Sequence, residues 1–169
     1  MGGLDIAAAI ALCDPSLLNV RSFVTFGSPL RGTEWGEILS KLGGLLPHLL
    51  NQAKSMDPDQ PFIKQLRSPG SLKRLLNRVE KLYCLYGTRD MAIRKGGRIS
   101  YKDIDPTWQG TNPKAFKAKV RVIDIQGADH TGGLGITQDP RAVLWLVRIL
   151  GDLPLPNEKL NHGYLFRST

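Results

Sequence analysis

Three stretches of the chain concentrate β-branched and aromatic residues and then stop at a glycine: NVRSFVTFG at Gly27, VEKLYCLYG at Gly87 and AKVRVIDIQG at Gly127. Short apolar runs closed by a turn-forming residue predict buried strands. Helical patterns lie before, between and after them. GGLDIAAAIAL presents Ala7, Ala8, Ala9 and Ala11 as a thin face for a neighbouring layer, with Gly2 and Gly3 at its start and Pro15 beyond its end. Ser71 can cap LKRLLNRVEK. Pro140 opens DPRAVLWLVRILG, where Val143, Leu144, Val147 and Leu150 recur at the spacing of one helical face before Gly151. Between Glu34 and Met56 leucine is frequent, but Gly43, Gly44 and Pro47 divide the segment into two short helices. Strands alternating with helices predict an α/β fold, a mostly parallel sheet with flanking helices. One domain is expected over residues 1–153, with 154–169 a loosely held C-terminal extension.

Composition narrows the class. A chain of 169 residues suffices for one domain, and its 41% hydrophobic content argues against disorder. No apolar stretch approaches the roughly 18 residues of a membrane span, so no transmembrane segment is expected. The early residues carry only the acid Asp5, without the basic region of a secretory signal, and Ile6 stands where N-myristoylation needs Ser or Thr. Cys13 and Cys84 both lie in apolar segments and read as reduced structural residues, which favours a cytoplasmic setting. The net charge of +8 raises nucleic-acid binding as a question, yet the 23 basic residues are spread from Arg21 to Arg167, with only modest concentration in SLKRLLNRVEK and NPKAFKAKVR. With no aromatic RNA-binding pattern or zinc spacing, a solvated basic surface is the expectation, with no nucleic-acid partner, metal or cofactor.

Candidate chemistry gathers after the strands. In a parallel sheet the C-terminal strand ends share one edge, where open α/β folds bind ligands. GSPLRGTEWG, GTRD and GADHTGG should therefore meet there. Asp90 and His130 each stand three positions past a strand-ending glycine, and a carboxylate that holds one imidazole nitrogen frees the other to take a proton. The spacing is equally served by Asp90 capping the next segment and His130 standing in a surface loop. Asp129, Asp103 and Asp105 are weaker partners for His130, and His48 and His162 read as structural or solvated. Ser28 and Thr33 lie on the correct edge without the G-x-S-x-G turn that exposes an attacking hydroxyl, and neither cysteine is placed to attack.

Taken together, these residues resemble the lipase and esterase branch of the α/β-hydrolases. MGGLDIAAAIA resembles the second half of that family's G-H-S-M-G-G elbow and its helix, and TFGSPLRGTEWG resembles its T-x-G-[ST]-P-x-x-G-[ST] segment. SMDPDQPFIKQL is similar to the helical stretch before the next strand; YGTRDMAI and GADHTGG are similar to the segments carrying the triad acid and histidine. The similarity runs from Met1 to about Leu150 and implies the C-terminal portion of an α/β-hydrolase fold acting on a small-molecule or lipid ester. It implies Asp90 as the orienting acid, His130 as general base and then acid, a nucleophilic serine immediately before Met1, and the Met1 backbone nitrogen in the oxyanion hole. The chain alone then lacks the nucleophile and the strand beneath it, is inactive by itself, and exposes a sheet edge open to self-association. A non-catalytic remnant or binding module on the same scaffold is the alternative. Glu34 to Met56 is read either as a lid over an acyl site or as core packing, with the Trp108 neighbourhood near the same site or simply exposed.

Overall fold

Each of the three apolar runs contains a strand. The computed structural model describes residues 2–14, 16, 19–33, 56–93, 118–130 and 135–155. Within them, in chain order, lie α1 (Gly2–Leu12), β1 (Val20–Phe26), α2 (Pro61–Arg67), α3 (Pro69–Arg78), β2 (Val79–Gly87), β3 (Val120–Ile125) and α4 (Pro140–Leu150). The strands form a parallel sheet in the order β1-β2-β3, with Thr25 opposite Cys84 and Cys84 opposite Val122. The expected lid, apart from its last residue Met56, lies outside the described residues, as do Trp108, His48, Asp103, Asp105 and the tail from 156 onward.

Alternation along the strands sorts the core into two layers. Phe23 of β1 and Leu82, Cys84 and Tyr86 of β2 pack with α1, α2 and α3. Tyr83 and Leu85 of β2, with Ile123 and Ile125 of β3, pack with Ala142, Trp145 and Ile149 of α4. The middle strand β2 is thus buried on both faces, which is why its run is almost continuously apolar.

Small residues let α1 sit close to the sheet. A Cβ built on Gly3 would overlap Ser28 Oγ, so the first turn of α1 rests on the segment that leaves β1. Its other end is held from α3. Arg74 donates to the carbonyl of Ala11, and Arg78 donates to those of Ile10 and Cys13 at 2.7 and 2.6 Å. Cations at a helix C-terminus satisfy the last carbonyls and oppose the helix dipole. Two arginines from the basic stretch SLKRLLNRVEK are therefore engaged within the fold.

Two sequence expectations are corrected here. The cap of α3 is Ser68, whose hydroxyl accepts from the Ser71 N–H; Pro69 takes the first helical position, and Ser71 is buried inside the helix. In α4 the expected stripe is the outer one, with Val143, Val147 and Leu150 at 42%, 54% and 69% exposure. The helix is apolar on more than one side, and the face holding Trp145 buries the largest side chain while Ala142 permits close approach. Asp139 caps α4 by accepting from the Arg141 N–H at 2.9 Å.

Candidate functional site

The turns after β2 and β3 are joined to each other. Thr88 N–H donates to the Ile125 carbonyl at 3.1 Å and Arg89 N–H to that of Ala128 at 2.9 Å. In return, Gly127 N–H donates to Thr88 Oγ1 at 2.8 Å. The contact is close enough that a Cβ on Gly87 would overlap the Ala128 carbonyl oxygen. These bonds bring the two succeeding polar residues together: Asp90 Oδ2 lies 2.9 Å from His130 Nδ1.

Each member of the pair is also fixed independently. The Asp90 N–H donates to the Gly87 carbonyl, and Asp90 Oδ1 accepts from the Ile93 N–H at 2.9 Å. Asp90 therefore caps the following turn with one oxygen and engages the imidazole with the other. Asp129 directs Oδ1 to the His130 backbone N–H at 2.6 Å. Its carbonyl accepts from the Ile136 N–H at 2.8 Å, which closes the loop that carries the histidine.

The electrostatics follow from burial. The Asp90 side chain has 0% exposure and that of His130 has 37%. An ionised carboxylate only accepts, so Nδ1 carries the hydrogen of this bond in both the neutral and the charged imidazole. The bond to Asp90 raises the His130 pKa above its ordinary value, and partial burial of the ring opposes that rise. Among the described residues no hydrogen bond engages Nε2. The arrangement can accept a proton at Nε2 and stabilise the resulting imidazolium through Asp90.

The four hydroxyl and thiol candidates weighed from the sequence are poorly placed as nucleophiles. Ser28 is buried beneath α1, and the Thr33 hydroxyl donates to the Ala92 carbonyl. Burial pushes the Cys84 thiol up to about 11, and Cys13 lies just past the end of α1, away from the strand ends. Met1, expected in the oxyanion hole, lies outside the described residues. No group of three or more His, Cys, Asp or Glu side chains is placed to hold a metal among the described residues. No described helix is long and apolar enough to cross a membrane.

In the sequence Gly27 marks only the end of a strand. It is also the nearest backbone to the pair from β1: a Cβ there would lie 3.1 Å from both Asp90 Oδ2 and His130 Nδ1. Thr88, whose hydroxyl joins the two turns, carried no motif that could have singled it out. In comparisons with known proteins, no family model, curated protein or solved structure matches the chain.

Proposed function

We propose that this chain is the C-terminal portion of a carboxylic ester hydrolase with a serine-hydrolase fold, of the lipase and esterase branch of the α/β-hydrolases. The observation that carries the reading is the hydrogen bond between Asp90 and His130 at the ends of adjacent parallel strands. Further support comes from α1, whose first turn rests on Ser28, next to Gly27 and the pair.

On this reading the attacking serine stands immediately before Met1 in a longer chain. Its hydroxyl attacks the ester carbonyl while His130 Nε2 takes the proton. The same nitrogen returns the proton to the departing alkoxide, leaving an acyl-serine. Water then attacks the acyl carbon as His130 takes its proton, and the serine oxygen leaves carrying that proton back from His130, which releases the carboxylic acid and restores the free serine. Asp90 keeps the ring oriented and compensates its charge. Met1 contributes its backbone N–H to the oxyanion hole when it is part of a longer chain.

The test begins upstream. The reading frame before the Met1 codon should encode Gly-His-Ser after a β-branched run, and the longer chain should hydrolyse short acyl esters. Replacement His130→Ala should abolish that turnover. Retained turnover in the variant overturns the reading, and the absence of an upstream serine overturns it in favour of a non-catalytic scaffold.

The same proposal includes self-association of the shorter chain. Among the described residues β1 pairs only with β2, and an apolar groove of about 510 Å³ runs beside it, lined by Ile6, Ala9, Ile10, Phe23, Leu146 and Leu150. Unpaired strand edges flanked by apolar surface recruit other chains.

A further inference from the structure

We propose that Gly27 is a positioning residue for the Asp90–His130 pair: its missing side chain leaves the space in which carboxylate and imidazole close on each other. The inference rests on the reading of that pair as orienting acid and base. Gly27 has a φ of +53°, and its N–H donates to the Leu85 carbonyl at 2.8 Å, which prevents its backbone from withdrawing. A Cβ at this position would stand 3.1 Å from Asp90 Oδ2, 3.1 Å from His130 Nδ1 and 3.3 Å from His130 Cε1. These are the two atoms of the bridging hydrogen bond and a ring carbon next to one of them.

Neither partner can move aside freely. Asp90 is tied to Gly87 and Ile93, and the backbone of His130 is tied to Asp129. Added carbon must therefore be accommodated by the 2.9 Å bond between the two side chains, which lengthens by a few tenths of an ångström or bends. Gly27 controls how tightly the carboxylate holds the ring while touching no substrate itself.

A second glycine supplies the control. Gly127 has a φ of +79°, so alanine there meets the same left-handed backbone penalty, yet a Cβ on it would have nothing within 4 Å. NMR titration of His130 in the 169-residue chain reads the bond directly, through the imidazole pKa and the low-field Nδ1–H resonance. Gly27→Ala should lower the His130 pKa toward or below 6.5 and remove the low-field resonance, while Gly127→Ala should leave both as in the parent. Gly27→Asn, a residue that tolerates positive φ, should reproduce the effect with less backbone strain.

An unchanged titration in a folded Gly27 variant overturns the proposal, as does an equal shift in Gly127→Ala. Failure of both Gly27 variants to fold while Gly127→Ala folds also overturns it, since the glycine would then be needed for folding rather than for tuning the pair. Because the readout requires no ester turnover, a negative result here is distinct from failure of the hydrolase assignment.

Discussion

At His130, one bond links geometry to pH. Its pKa in the folded chain lies above its unfolded value because Asp90 accepts from Nδ1. The associated stabilisation is fully present below about 6.5, the ordinary histidine value, and is lost as pH rises through the raised folded value. The difference in melting temperature between the parent and His130→Gln should therefore shrink with rising pH across that window, as thermal denaturation can measure. Asp90→Asn keeps an acceptor for the Ile93 N–H but removes the charge, so the His130 pKa should fall and partial burial should dominate. In a longer, active chain the same replacement should cost on the order of 10⁴-fold in turnover. Thr25 carries a different consequence. Its buried Oγ1 has no conventional hydrogen-bond partner among the described residues and faces only the Cys84 sulfur opposite it on β2, a weak partner. Thr25→Val keeps the shape and removes the unsatisfied group, so chemical denaturation should find a gain of about 1 kcal/mol.

The helices differ in what fixes them. In α4, truncating Trp145 to alanine should cost about 3–5 kcal/mol, whereas Val147→Ala on the exposed side should stay within about 0.5 kcal/mol. Equal losses in urea denaturation would contradict the observed orientation of the helix. Strand positions were legible because β-branched runs closed by glycine leave few alternatives, and β2, buried on both faces, was the clearest. The orientation of α4 was hidden because Val143, Val147 and Leu150 satisfy helical spacing as well as Ala142, Trp145 and Ile149 do. The start of α3 was obscured by two serines near Pro69, and only the structure selects Ser68 as the cap. Asp90 and His130 could be brought to one edge by parallel topology alone. Their 2.9 Å bond depends on the joined turns, where backbone groups and the Thr88 hydroxyl do most of the holding and leave little trace in residue type.

Across the whole molecule, the sheet distributes its partners unevenly. β2 has a neighbour on either side, while the outer side of β1 runs beside the apolar groove between α1 and α4. The proposal for the shorter chain predicts light scattering that grows with concentration and a broad melting transition. A stable monomer with a sharp transition would count against it.

The joined turns have a consequence for how such a site tolerates change. Asp90 and His130 hang from β2 and β3, inward of any event at the outer border of β1. If the proposed self-association adds a strand at that border, the bonds that join the two turns lie beyond its reach. The couple is thus held by the turns of β2 and β3 themselves, on the flank of the sheet away from that border.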